Sequence, residues 1–173
     1  MWKGSLCFLS ALLLSGCSNI LPLDYSQYEG SDAATIYARN YEGSVGTIYI
    51  TTYKYVDTDA CFDMDTRYEL DSNVFAASGN VIKAKIKPGN FYAYEQTRNY
   101  GRYIADSRLS FIPEPGKTYY IMQNERIFEI PDSEVISMNT DEQKLFNQYG
   151  KNLVKGWPAK NKCKNFMGKL MSK

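Results

Sequence analysis

An antiparallel β-sandwich of about seven strands, followed by one or two C-terminal helices, is the fold this sequence predicts. Three observations predict it. Apolar and polar residues alternate with period two through several short stretches between residues 34 and 131. Turn-forming Gly, Pro and Asn punctuate those stretches at short intervals, as in all-β sandwiches and barrels. Beyond Pro131 the apolar spacing lengthens to that of a helix.

The strands follow in order. Ala34, Ile36 and Ala38 alternate with Thr35, Tyr37 and Arg39, and Glu42-Gly43-Ser44 breaks the pattern. Thr47 to Val56 is rich in Tyr, Thr and Ile, good strand formers, with Ile48 and Ile50 on one face and Tyr49, Thr51, Tyr53 and Tyr55 on the other. Residues 57–71 carry six acids and read as an acidic connection, with Phe62, Tyr68 and Leu70 packing or pairing within it. After the turn Ser78-Gly79-Asn80, Ile82, Ala84 and Ile86 point inward and Lys83, Lys85 and Lys87 outward. Lysines along one face also guard a strand against edge pairing. Pro88-Gly89 suits the centre of a type II turn, where Gly accepts a positive φ, so 81–95 reads as a hairpin returning through Phe91 to Glu95. Leu109 to Ile112, Thr118 to Gln123 and Arg126 to Ile130 complete the strands, separated by Pro113 to Lys117 and by Asn124-Glu125.

The helical part comes next. Thr140 and Gln143 form a capping box, and Asp141 and Glu142 favour the positive end of a helix. Leu145, Phe146, Tyr149 and Leu153 follow at helical spacing, and Gly156 and Pro158 end the helix. Cys163, Phe166, Met167, Leu170 and Met171 again recur at helical spacing, predicting a short amphipathic helix. Residues 132–173 thus read as a helical extension packed on a sandwich domain at 34–131.

The N-terminus has a separate logic. Lys3 precedes an apolar run from Leu6 to Leu14, then small Ser15 and Gly16, then Cys17: the layout of a secretory leader. The run is about nine residues, short of the ~20 that cross a bilayer. Leu14-Ser15-Gly16-Cys17 resembles the lipobox of bacterial lipoproteins. That resemblance implies removal of residues 1–16, acylation of Cys17 and a membrane anchor. The residue after the cysteine is Ser18, not Asp, which by the enterobacterial sorting rule implies the outer membrane. Residues 17–33 then read as a lipidated N-terminus and flexible tether. Two further stretches, Ile86-Lys87-Pro88-Gly89-Asn90-Phe91-Tyr92 and Phe111 to Ile121, resemble recurring hairpins of small bacterial lipoproteins with a β-sandwich body, including uncharacterised DUF2846-like proteins. The resemblance spans roughly residues 34–130 and implies no catalytic residues.

Without the leader, the chain holds 19 basic and 19 acidic residues, unevenly placed. Residues 151–173 hold seven lysines and no acid, so an acidic body carries a basic end. Two readings of that end follow: its apolar face docks on the sandwich, or it lies on an anionic membrane surface. Cys7 leaves with the leader and Cys17 takes lipid. Cys61 and Cys163 remain in an oxidising compartment, where one disulfide is the expected outcome and two buried thiols the alternative.

The sequence excludes several chemistries. It has no histidine, hence no Ser-His-Asp or Cys-His arrangement and no histidine zinc site, and it has no Gly-rich phosphate loop. An acidic body in the periplasm argues against nucleic acid as a partner. Asp57-x-Asp59 and Asp63-x-Asp65 place oxygens at alternate positions as calcium needs, but Phe62 and Tyr68 stand where an EF-hand has its glycine. A solvated loop is the plainer reading, and neither a metal nor another cofactor is expected. Fifteen tyrosines remain to be placed. Tyr49, Tyr53, Tyr55, Tyr92 and Tyr94 either pack on the sheet or form a surface for a partner or glycan. The expectation is a non-enzymatic, lipid-anchored envelope protein with an accessory or assembly role; the alternative is glycan or small-ligand binding.

Overall fold

A computed structural model of the chain describes residues 23–40, 46–73, 80–99, 104–122, 126–156 and 162–163. The leader, Cys17 and the amphipathic segment containing Phe166, Met167, Leu170 and Met171 lie outside the described residues. Nine strands are described: β1 (Leu23–Asp24), β2 (Ala34–Arg39), β3 (Gly46–Val56), β4 (Cys61–Asn73), β5 (Val81–Ile86), β6 (Phe91–Asn99), β7 (Ile104–Phe111), β8 (Thr118–Met122) and β9 (Arg126–Ile130). They form two sheets, one of order β1-β4-β3-β6-β7 and one of order β5-β2-β8-β9.

The protein is mainly β, as the alternation predicts, but its sheets are mixed rather than antiparallel. β1 pairs parallel with β4, and β2 parallel with β8. Parallel neighbours cannot be joined by a tight turn. Between β2 and β8 the chain runs through the other sheet twice, as β3–β4 and as β6–β7, returning once as β5.

The same traffic corrects the reading of 81–95 as a hairpin. β5 pairs with β2 in one sheet and β6 with β3 in the other, so Pro88-Gly89 carries the chain across. Gly89 has the expected positive φ of 78°, and its N–H donates to the carbonyl of Pro113 at 2.9 Å. The link from β7 to β8 crosses in the same way, with Gly116 at φ 67°. Both crossings need a conformation that costs an L side chain strain.

One core lies between the two sheets. Ala34, Ile36 and Ala38 of β2 and Ile82, Ala84 and Ile86 of β5 meet Ile48 and Ile50 of β3, Tyr92 and Tyr94 of β6 and Phe111 of β7. The pattern BiBiBi along β2 follows directly from its alternation. A second cluster lies on the other face of the β5-β2-β8-β9 sheet, where Tyr120, Met122, Phe128 and Ile130 receive Leu145 and Phe146 from helix α1 (Glu142–Tyr149). The phenol of Tyr120 donates to Glu142 Oε1 at 2.6 Å, locking the helix's first turn to the sheet.

Three further expectations are revised. The acidic connection at 57–71 is a four-residue turn and then strand β4, paired with β3 from Val56↔Cys61 to Gly46↔Asn73 with two register shifts. The helix is capped by Asp141, whose carboxylate accepts from the N–H groups of Gln143 and Lys144, so the Thr140–Gln143 box does not form; Thr140 Oγ1 instead accepts from Ser137 N. The helix stops at Tyr149, a 3-10 turn covers Gly150–Asn152, and Leu153 forms a bridge with Phe128.

The segment expected to be a flexible tether lies, from residue 23 onward, against both sheets. β1 joins the edge of β4, then Tyr28 N donates to the Lys85 carbonyl at 3.0 Å and Tyr25 donates through its hydroxyl to the same oxygen at 2.6 Å. Residues 23–28 thus bridge from the edge of one sheet to the edge of the other.

Candidate functional surface

The five candidate tyrosines do not share a face. Tyr94 pairs with Ile50 and Tyr92 with Thr52, on the side of β6 that meets the other sheet. They are 2% and 3% exposed and belong to the core. Burial pushes the Tyr92 phenol up, so it stays protonated; its oxygen accepts the backbone N–H of Lys87 at 3.1 Å. These two rings are unavailable to any ligand, which corrects their reading as part of a surface.

Tyr49, Tyr53 and Tyr55 do lie on the outer face of β3, as their alternation predicts. Their environments differ. The guanidinium of Arg67 sits 3.7 Å over the Tyr49 ring and is held by Glu95 at 3.1 Å. Tyr53 is buried with Phe62 and Ala93, with Phe91 packed against them, and the ammonium of Lys162 lies 5.3 Å from its ring centre. Tyr55 is 51% exposed, its ring 5.0 Å from that of Phe62. Met64, opposite Tyr53 in register, is 52% exposed. Tyr55, opposite Phe62 in register, and Met64, two residues beyond Phe62, are thus both open apolar residues of the β3–β4 hairpin.

The same hairpin receives the C-terminal part of the chain. Cys61 and Cys163 form a disulfide, Cα atoms 4.9 Å apart. Lys162 bridges Phe62 in parallel, and Cys163 N donates to the Phe62 carbonyl at 2.8 Å. The cysteine pairing was legible by counting; its position beside the aromatic cluster was not.

The acids of the hairpin are distributed rather than convergent. Asp65 pairs with Lys54 at 2.5 Å and accepts from Thr52, while Asp63 caps Met64 N. Among the described residues no group of three or more acids and cysteines is arranged to hold a metal ion.

Sequence reasoning missed a polar constellation at one end of the core. Asn40 is fully buried and donates through Nδ2 to Asp71 Oδ2 at 2.8 Å; its Oδ1 has no partner among the described residues. Next to it, Arg39 donates to the carbonyls of Ser137 and Met138, while its own carbonyl accepts from buried Gln96. Asp71, Ser137 and Met138 border a cleft of about 650 Å³. The signal was present: Asn40 continues the inward series Ala34, Ile36, Ala38, which puts a polar side chain on the core face. A buried amide with an idle acceptor costs stability. The arrangement also fastens the 137–138 segment to β2.

No protein-family model, curated protein or solved structure matches the chain.

Proposed function

We propose that the chain is an outer-membrane-anchored lipoprotein whose β-sandwich body faces the periplasm and serves as a non-catalytic accessory or assembly protein of the envelope. The observation that carries the reading is Leu14-Ser15-Gly16-Cys17 behind its short apolar run. A lipid-held body works by what it presents to neighbours. The open residues Tyr55 and Met64 beside the disulfide support a protein contact at the β3–β4 hairpin, since aromatic residues and Met are enriched in interface cores. The glycan alternative is weaker, because a sugar platform needs several open rings and only Tyr55 of the five candidates is more than half exposed. A photocrosslinker at Tyr55 in growing cells should capture one reproducible envelope protein, and the variant Tyr55→Ala/Met64→Ala should lose that capture from a probe at Phe91. Capture of glycan alone, or of nothing at native expression, would contradict the accessory role.

A further inference from the structure

We propose that the corner built by residues 23–28 and strand β5 is a second, electrostatic contact with the anionic phospholipid bilayer that holds the lipid anchor. The inference rests on the lipoprotein reading above and adds to it an orientation of the body. Lys83 and Lys85 on β5, an edge strand, and Lys87 just beyond its end are all exposed, at every second residue. Along a strand that spacing sets them about 7 Å apart in a row.

Edge protection is the ordinary role of such lysines, and here it is already filled. The outward backbone groups of Lys85 are occupied: its N–H donates to Gln27 Oε1 at 2.6 Å, and its carbonyl accepts from Tyr28 N and Tyr25 Oη. The next N–H, of Lys87, donates to the Tyr92 hydroxyl. From Lys85 to Lys87 the edge is thus covered, and gatekeeping against a foreign strand does not require their charges. Nor does pairing: no described carboxylate forms an ion pair with Lys83, Lys85 or Lys87, and Lys83 rests 5.3 Å from the centre of the Tyr37 ring.

The position of the row relative to the anchor gives it a target. From Cys17 to Leu23 is six residues, a reach of at most about 20 Å. Leu23 is held at the edge of β4 and is itself 55% exposed. The chain then runs directly to Lys85. Attraction between lysines and an anionic surface fades within about 8 Å at physiological salt. A long flexible tether would leave the row outside that range most of the time, and the short link keeps it near. Each lysine at such a surface favours the docked state about fivefold, and the exposed carboxylates of Asp24 and Glu29 in the adjoining segment offset part of that gain.

The test is amine footprinting of the lipidated, disulfide-intact protein, read by mass spectrometry. The protein is placed in phosphatidylglycerol–phosphatidylethanolamine vesicles, in phosphatidylcholine vesicles and in neutral detergent micelles. Acylation of Lys83, Lys85 and Lys87 should slow at least tenfold in the anionic vesicles relative to micelles, with Lys151 and Lys155 unchanged. Protection should largely vanish in phosphatidylcholine. Equal reactivity in anionic vesicles and micelles, protection confined to Lys151 and Lys155, or equal protection in both vesicles would overturn the docking. Flotation of the same samples reports the anchor separately: protein that floats with unprotected lysines refutes the orientation alone, and protein that does not float refutes both.

Discussion

Replacing Cys163 by Ser should destabilise the body by about 2–5 kcal/mol, the usual cost of removing a native disulfide from a small secreted domain. The bridge joins positions 102 residues apart, and the chain-entropy account of a loop near 100 residues gives about 4.7 kcal/mol as an upper figure. Against a total stability of about 5–15 kcal/mol, that is a large share. The contacts beside the bridge will recover little of it, because one backbone hydrogen bond from Cys163 to Phe62 contributes only about 1 kcal/mol net. Urea unfolding followed by near-ultraviolet circular dichroism measures the difference directly. Cys61→Ser should match Cys163→Ser, and the double variant should cost no more than either single one, since all three remove the same bond. A single-variant loss below about 0.5 kcal/mol, or additive losses in the double variant, would refute the assignment.

Two further outcomes test the layers of the fold. Phe128→Ala should cost about 3–5 kcal/mol by leaving a cavity where Phe128 meets Tyr120 and Phe146, whereas Val135→Ala, at an 82% exposed position, should stay within about 0.5 kcal/mol in the same melts. Burial raises the phenols of Tyr25, Tyr92, Tyr119 and Tyr120, and the carboxylate of Glu142 raises Tyr120 further. Groups raised in the folded state give stability that is complete below the unfolded value near 10 and is lost as pH rises through it; unfolding midpoints should therefore hold from neutral pH to about 9 and fall steeply above 10. A flat profile through the tyrosine range would contradict their burial.

How much of this was legible in the sequence depended on whether a stretch had one buried face. β2 and β5 did: period two located both and assigned the inward residues of β5 correctly. β4 was read as an acidic connection with only Phe62, Tyr68 and Leu70 packing or pairing, because Asp63, Asp65, Glu69 and Asp71 masked a full strand that pairing with β3 dictates; strand propensity yields to neighbours. Tyr92 and Tyr94 stayed open between core and surface for the opposite reason. In β6 both faces carry aromatic or apolar residues, so alternation shows that two faces exist without showing which is inside. Pairing of Tyr94 with Ile50 decides it, and that register is nonlocal. The crossings at Pro88-Gly89 and Gly116 were read as turns, correctly in conformation, yet a turn sequence does not state which sheet receives the next strand. The Asn40–Asp71 contact joins residues 31 apart, beyond the reach of a local pattern, although the phase of Asn40 was a usable sign.

The anchor itself is the central claim, and one measurement addresses it most directly. Cells expressing the wild-type chain and Cys17→Ser are fed an alkyne-tagged fatty acid, and label and location are read together after fractionation and a high-salt wash. The account predicts a labelled wild-type protein of mature size in the outer-membrane fraction, and an unlabelled Cys17→Ser protein released from the membranes. Label retained on Cys17→Ser, or an unlabelled wild-type protein that still sediments with the outer membrane, would contradict lipidation at Cys17.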